Sequence, residues 1–131
     1  MSVDTIVTKC ISSVPKALAA GVVDMNTGML LAIKTVESHP QAVMDLVAAG
    51  TKELFEGEIA QEIENSFKKI RGDSSSEHYF TEMLINSKNL IHFFGRVKSS
   101  PDTIMVVITR AEANLGLVVT KCRMIINSET V

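Results

Sequence analysis

The sequence has little of what several protein classes require. Its 131 residues include no tryptophan, one tyrosine and two cysteines. The two cysteines, Cys10 and Cys122, are too few for the disulfide framework of a small secreted domain, and no cationic start precedes an apolar segment as in a signal peptide. The apolar runs are strand-sized and far too short to span a membrane. We therefore expect a cytoplasmic protein with reduced thiols and no direct membrane insertion.

An excess of positive charge is also missing. Lysine and arginine number 13 against 15 aspartates and glutamates, a formal net charge of -2. This balance argues against a broad basic surface, and the lack of tryptophan with a single tyrosine suits an aliphatic core more than a base-stacking surface, so we expect no binding to nucleic acid. Hydrophobic residues make up 46% of the chain and charged residues 21%, which is typical of a folded protein. The length suits a single domain over residues 1–131.

The first part of the chain predicts a helix followed by a β-hairpin. Apolar residues four positions apart predict a helix over residues 4–18, bent or ended by Pro15. These apolar residues are Ile6, Cys10, Val14 and Leu18. Two short apolar runs follow, at 19–24 and 29–34, and a short polar cluster with glycine separates them. Asn26 and Gly28 suit a tight turn between two strands.

A long second helix is predicted over residues 39–72, with Pro40 in its first turn and Ser38 or His39 at its cap. Two apolar stripes lie nearly opposite each other on this helix. The first stripe contains Val43, Val47 and Leu54, and the second contains Phe55, Ile59, Ile63 and Phe67. Two arrangements remain open. Either Gly57 interrupts the helix, or the domain covers one face and a partner covers the other.

Charged residues surround the second stripe. Glutamates dominate the first half of this region and cations dominate its end. They are Glu53, Glu56, Glu58, Glu62, Glu64, Lys68, Lys69 and Arg71. The pattern fits a solvated face with cations at the helix C-terminus, and equally a charged rim around an apolar interface.

The second part of the chain predicts another hairpin, a central strand and a final helix. Residues 78–85 and 90–97 form the hairpin, and 103–109 are apolar on both alternating faces, as in a strand covered on both sides. A helical stripe follows within residues 111–129. The predicted order is α-β-β-α-β-β-β-α. The predicted fold class is α/β (α+β), a three-layer α/β/α sandwich around a five-stranded, mainly antiparallel sheet.

Residue types suited to catalysis are present without the spacing that catalysis needs. Asp24 has only Asn26 and Thr27 near it, so we expect Asp24, Asn26 and Gly28 to form a structural turn. His39, His78 and His92 lack metal-ligand spacing. The segment 113–117, "ANLGL", has one glycine and lacks a phosphate-binding pattern, so Asn114, Leu115 and Gly116 are predicted to pack a helix start on the sheet. We expect no catalytic residue, cofactor or metal.

The order of elements, with "AAGVVDMNTGMLLAI" (19–33) and "ITRAEANLGLVVTKC" (108–122), resembles the roadblock/LC7 family. The resemblance implies a profilin-like or longin-like fold. It also implies dimerisation through the long helix and the third strand, which extends the sheet across two subunits. Members act as scaffolds bound to small Ras-like GTPases or as dynein light chains, and bacterial members resemble a GTPase-activating partner of a polarity GTPase. The stretch between Pro40 and His78 is longer than the family pattern, which indicates a changed dimer interface or partner surface.

Three functions follow as hypotheses. The first is a non-catalytic dimeric scaffold that binds or regulates a small GTPase, as a homodimer or with a related chain. Its interface would contain Phe55, Ile59, Ile63, Phe67, Tyr79, Thr81, Met83 and Ile85. The second is a small-molecule sensor with a PAS-like sheet and a cavity lined by Phe80, Phe93, Phe94 and Met105. The third, an enzyme, requires Asp24, Glu82 and His92 to converge in one cleft.

Overall fold

The computed structural model describes residues 2–36, 41–75 and 77–130, with residues 41–43 described by their backbone only. Ser38, His39 and Pro40, the expected start of the second helix, lie outside the described residues. The elements in chain order are α1 (Val3–Ser13), β1 (Ala17–Asp24), β2 (Met29–Thr35), α2 (Gln41–Glu56), α3 (Glu58–Arg71), β3 (Glu82–Asn86), β4 (Leu90–Val97), β5 (Ser100–Arg110) and α4 (Leu115–Ser128). Among the described helices, none has the length and apolar character that crossing a membrane requires.

The five strands form one sheet in the order β2-β1-β5-β4-β3, and every neighbouring pair is antiparallel. Helices α1 and α4 cover one face and α2 covers the other. The three-layer α/β/α sandwich predicted from the sequence is confirmed. β5 lies in the centre of the sheet, as its two apolar faces predict.

The core consists of two layers because successive strand residues point to opposite faces. On β4, Phe93 packs beneath α1 and α4, whereas its neighbour Phe94 packs on the α2 side. On β5, Met105 and Ile104 divide in the same way. Each helix therefore has its own apolar strand surface, and the sheet alone joins the two layers.

The first helix is shorter than its apolar periodicity predicts. Ser2 caps α1 by accepting a hydrogen bond from the Thr5 amide, and the helix ends at Ser13, before Pro15. Ile6 and Cys10 are buried on its inner face, but Leu18 belongs to β1. The prediction of helix up to residue 18 is wrong because the four-residue spacing continues by chance into a strand.

The predicted second helix is two helices. Gly57 has an extended backbone, with φ −62° and ψ 163°, and separates α2 from α3. Of the two arrangements that the sequence left open, the structure has the interruption. The buried face of α2 consists of Met44, Ala48, Thr51 and Phe55. Val47 and Leu54, which the sequence places on one stripe, are both partly exposed beside this face.

The third strand begins later than predicted. Residues 78–81 are not part of β3, which runs over Glu82–Asn86. The amides of Tyr79 and Phe80 donate to the Glu64 carboxylate of α3. These donors are therefore satisfied by a side chain and not by a neighbouring strand, which corrects the predicted start at residue 78.

Candidate interaction surface

Helix α3 carries an apolar stripe that its own domain leaves exposed. Ile59 is 68% exposed and Ile70 is 80% exposed, and Ile63 and Phe67 between them are about 40% exposed. The neighbouring face of the helix points inward through Glu64, which is buried. Four large apolar side chains in a row on one helix are costly to leave in water, so this stripe is a candidate docking surface.

Phe55 does not belong to this surface. It is completely buried on the α2 side of the sheet, with the Arg96 guanidinium carbon 5.1 Å from its ring centroid. The sequence placed Phe55 at the interface because it continues the four-residue spacing of Ile59 and Ile63. That periodicity does not survive the change of helix direction at Gly57, so Phe55 is a core residue in this structure.

The segment before β3 and β3 itself lie beside the stripe. The Tyr79 ring stacks on Phe67, with centroids 5.3 Å apart and planes 8° apart. Thr81 is exposed, and its carbonyl accepts from the Arg96 amide at 2.8 Å. Met83 packs against the core, whereas Ile85 is 40% exposed.

Within the described chain β3 is the last strand of the sheet, which leaves its outer backbone edge unpaired. Leu84 and Ile85 on it are both exposed. An apolar edge strand is a template for pairing with another strand unless something protects it. The stripe and the strand edge lie on either side of the Tyr79–Phe80 segment, and we call them together the α3–β3 surface: Ile59, Ile63, Phe67, Ile70 and Ile85.

Two open grooves border this region on the α2 side. The first, of about 500 Å³, lies between the α2–α3 break and the sheet, with Leu54, Ile63, Phe80 and Met83 among its lining residues. The second, of about 450 Å³, lies between α2 and β4 and reaches Val47, Leu54 and Phe94. Both grooves are mainly apolar, so they extend the surface that a partner helix could cover.

The charges of α3 are divided along its length. Glu58 and Glu62 lie in its first half, and Lys69 and Arg71 lie at its end. Lys68 is turned inward and donates to the carbonyls of Ser75 and Glu77. Gly72 ends the helix in the left-handed conformation, with φ 69°. The exposed charges thus give α3 an acidic half and a basic half beside one apolar stripe.

Arg96 joins three segments beneath this surface. Its Nε donates to the Phe80 carbonyl at 2.7 Å, its Nη1 to the Pro101 carbonyl at 2.7 Å and its Nη2 to Glu56 Oε2 at 3.1 Å. No motif predicts this role, because an isolated arginine in a strand belongs to none. A single arginine in a largely apolar strand could have suggested a buried guanidinium with polar partners.

His78 lies next to this arginine, between two carboxylates. Its Nδ1 is 3.5 Å from Glu56 Oε2, and its Nε2 is 3.2 Å from Asp102 Oδ1. These three side chains place potential metal-ligand atoms within 4.8 Å of one another. Of the two ring contacts, only the Nε2–Asp102 contact has hydrogen-bond geometry, and the Nδ1–Glu56 contact is at ion-pair distance.

The three side chains that an enzyme would need are each bonded to a different partner. Asp24 accepts from the Asn26 amide and the Thr27 hydroxyl in the β1–β2 turn, where Gly28 has φ 74°. Glu82 pairs with Arg123. The His92 Nδ1 lies 3.0 Å from the Ile85 carbonyl. These three side chains have separate structural partners and do not share one cleft.

Two further predictions concern the helices on the other face. Asn114 caps α4 by accepting from the Leu117 amide at 3.0 Å. Leu115 and Gly116 are exposed, and a Cβ on Gly116 would meet only the Asn114 side chain at 3.5 Å. The prediction that Leu115 and Gly116 pack the helix start on the sheet is therefore wrong. The close approach occurs at Gly95 of β4, which faces Ile126 of α4.

The cysteines and the proposed sensor residues are core residues. Cys10 and Cys122 are free and buried, and the Cys10 thiol donates to Met105 Sδ at 3.4 Å. Phe93 and Met105 lie on one face of the sheet, and Phe94 and Phe80 lie on the other. The four residues named for a ligand cavity are thus separated by the sheet and cannot line one cavity.

Solved structures share this fold. A roadblock/LC7 domain from Streptomyces avermitilis has a TM-score of 0.68 at 16% identity, over 98% of this chain and 94% of its own. Myxococcus xanthus MglB has a TM-score of 0.70 at 17% identity, over 95% and 89%. MglC from Myxococcus xanthus has a TM-score of 0.57 at 19% identity, over 96% and 94%. No family model and no curated protein sequence matches this chain. The chain therefore has the roadblock/LC7 fold that its motifs predict.

Proposed function

We propose that this chain is a non-catalytic scaffold that dimerises through the α3–β3 surface and presents the resulting platform to a small Ras-like GTPase or an associated complex. The observation that carries the proposal is the exposed apolar stripe of α3 beside an unpaired strand edge. Both features are unfavourable in an isolated chain, and one partner removes both.

The arrangement of α3 favours a second copy of this chain as that partner. If two α3 helices pack antiparallel about a two-fold axis near Asn65, Ile59 faces the second copy's Ile70 and Ile63 faces its Phe67. The same arrangement brings the acidic half, with Glu58 and Glu62, against the second copy's basic half, with Lys69 and Arg71. A two-fold interface must be self-complementary, and α3 meets that condition in both its apolar and its charged residues.

The GTPase part of the proposal has different support. It is what the roadblock/LC7 resemblance implies, and structures named MglB and MglC share the fold. Asp24, Glu82 and His92, which an enzyme would need, each have a structural partner, so the mechanism that we propose is surface presentation. The platform would position a GTPase and its own catalytic groups, with no arginine supplied by this chain.

The mass of the protein in solution tests the dimer. The variant Ile59→Glu/Ile70→Glu places charge on the two most exposed positions of the stripe, and Met124→Glu is its matched control. Met124 is 57% exposed on α4, on the opposite face of the sheet. We expect dimers for the wild type and Met124→Glu, and a folded monomer for the double variant, by light scattering. A monomeric wild type would overturn the platform.

The proposed GTPase partner is tested after light scattering has given the mass of the protein in solution. Purified Ras-like GTPases from the source organism, loaded with GTP or GDP, are passed over the immobilised wild type and the monomeric double variant. We expect one nucleotide state to bind the wild type and to lose at least about tenfold in affinity on the monomer, since a platform needs both copies. Equal binding to the dimer and the monomer would contradict presentation by the dimer.

A further inference from the structure

We infer that α3 is a detachable arm, a helix that can leave the domain while the sheet stays folded, and that Glu64 is the positioning residue that holds it in place. Of the residues of α3, all of which the structure describes, only Glu64 is buried, at 6% exposure. Neither core layer includes a residue of this helix. Ile59 and Ile63 line an open groove of about 500 Å³ instead of closing on the sheet. The hydrophobic core therefore does not hold α3 in place.

One face of α3 holds the chain that returns toward β3. Glu64, Phe67 and Lys68 are three and four positions apart, so they share this face. Glu64 Oε2 accepts from the Tyr79 amide and, at 3.2 Å, from the Phe80 amide. Lys68 donates to two carbonyl oxygens of the same returning chain, and the Phe67 ring stacks on Tyr79. Polar contacts and one aromatic stack thus fix α3 to the segment before β3.

Glu64 makes the contact on which this docking depends. Phe67 is 44% exposed, and Lys68 reaches an exposed loop, whereas the Glu64 side chain is buried. Hydrogen bonds to a carboxylate are roughly twice as strong as those between neutral groups. Both amides converge on a single oxygen, so removing that oxygen leaves two donors without their acceptor.

Docking of α3 determines whether the two parts of the α3–β3 surface keep a fixed relation. The stripe lies on α3, Ile85 lies on β3, and the segment that Glu64 holds connects them. If α3 detaches, the stripe no longer lies beside the strand edge. For the dimer, a consequence that rests on the proposed function, Glu64 controls the interface from a buried position outside it.

A detached α3 is expected to lose most of its helical structure. It has 14 residues, and an isolated helix of that length is marginal in water. The extended backbone at Gly57 already separates α3 from α2, so α3 can move while α2 stays packed on the sheet. The amides of α3 then exchange with solvent while those of the sheet remain protected. Amide exchange within α3 therefore measures how often the arm detaches.

Hydrogen exchange is measured in the full-length Ile59→Glu/Ile70→Glu variant, at a concentration at which light scattering shows a monomer. In a monomer the exchange of α3 depends only on contacts within one chain. We expect the α3 amides to exchange together, with protection at least about tenfold lower than that of β4 and β5. Exchange of α3 at the rate of the sheet would overturn the arm and leave the dimer untouched, whereas a monomeric wild type would overturn the dimer and leave this result untouched.

Glu64→Met in the same background tests the positioning residue. Methionine keeps the length and the helix propensity of glutamate and removes the acceptor. We expect α3 protection to fall at least about tenfold further, with β4, β5 and α4 unchanged. Glu62→Met is the matched control, because Glu62 is an exposed glutamate on the same helix, and it is expected to behave as its parent does.

Glu64→Gln separates hydrogen bonding from packing. Its side chain has the same length as methionine and keeps an amide oxygen that can accept both N–H groups, so it is expected to recover part of the lost protection. Three results would overturn the role of Glu64: equal protection in Glu64→Met and Glu62→Met, an equal loss in β5, or no recovery in Glu64→Gln. A Glu64→Met chain that does not fold would make Glu64 essential to the whole domain, which also contradicts a detachable arm.

Discussion

At the scale of single residues, Gly57 determines the direction of the polypeptide between α2 and α3. Its φ of −62° is open to any residue, so conformational freedom is not the reason for glycine. A Cβ at this position would lie closer than 3.0 Å to the Glu53 carbonyl oxygen. The break is therefore possible because the side chain is absent.

Gly57→Ala is expected to destabilise the protein by about 1–3 kcal/mol, because a fixed backbone atom occupies the space that the methyl group needs. The matched control is Gly50→Ala within α2, where a Cβ meets nothing within 4 Å. Removing a glycine from a helix interior is expected to stabilise it by about 0.5–1 kcal/mol. Urea unfolding of both variants measures the change in the free energy of unfolding and its sign. A stabilising Gly57→Ala would show that α2 and α3 readily form one continuous helix.

The buried thiols make stability dependent on alkaline pH. Burial and the nearby Cys122 raise the pKa of Cys10 far above its usual value. Burial and the Glu82 charge raise the pKa of Cys122 from 9.0 to about 12. The unfolded chain therefore loses these protons first as the pH rises. Their contribution to stability is complete below the ordinary thiol pKa and decreases from there toward pH 12.

Cys122→Ala is expected to reduce this alkaline loss, since one of the two raised groups is gone. Urea unfolding at about pH 8, 9 and 10 gives the slope for each protein. The lysine and tyrosine titrations are common to both proteins and cancel in the difference. Equal slopes would mean that Cys122 ionises in the folded chain as readily as in the unfolded one.

The sequence predicted the role of a single residue correctly where its bonding partners lie within a few positions in the chain. The roles of Asp24 and Gly28 follow from turn residues three or four positions apart, and the structure has them in that turn. Arg96 and Glu64 could not be found in this way. Both bond to Phe80, which lies 16 residues from each of them and comes close only after the sheet has formed.

At the scale of elements, α3 has the properties of an interface helix in its charges as well as in its stripe. In the proposed antiparallel pair, Glu62 lies beside the second copy's Lys69. Lys69→Glu is expected to weaken the dimer roughly three- to tenfold, because two like-charge pairs replace two opposite ones at the edge of the interface. Analytical ultracentrifugation at low salt measures the dissociation constant.

The double variant Glu62→Lys/Lys69→Glu tests the orientation of the helices. It exchanges the two charges and keeps the complementarity, so it is expected to recover most of the lost affinity. A parallel or non-contacting arrangement of α3 predicts no recovery. High salt is expected to reduce the difference between all three proteins, since these pairs are exposed.

The sequence predicted the kinds of element well and their ends less well. Hydrophobic periodicity identified both hairpins, the central strand and the last helix because each buries one or two regular faces. It failed at the start of β3, where the Glu64 side chain takes the amides of Tyr79 and Phe80. It also extended α1 into β1 and left the break at Gly57 undecided, because spacing alone cannot show when a helix changes direction.

At the scale of the whole molecule, we expect the fold to form without dimerisation. Both core layers consist of residues from one chain, and the α3–β3 surface lies outside them. A monomeric variant should therefore keep its sheet, its helices and a cooperative unfolding transition. The proposed dimer would add stability that grows with the affinity of the folded copies for each other.

If one chain folds alone and the dimer adds stability, the melting temperature should depend on the protein concentration. From about 1 µM to about 100 µM, wild-type Tm is expected to rise, because only folded chains associate and mass action favours them. The monomeric Ile59→Glu/Ile70→Glu variant is expected to melt at one temperature throughout, and Met124→Glu to follow the wild type. Differential scanning calorimetry measures all three. A variant that fails to fold would place the stripe within the essential core, whereas a wild-type Tm that does not change with concentration would leave the stripe without a self-partner.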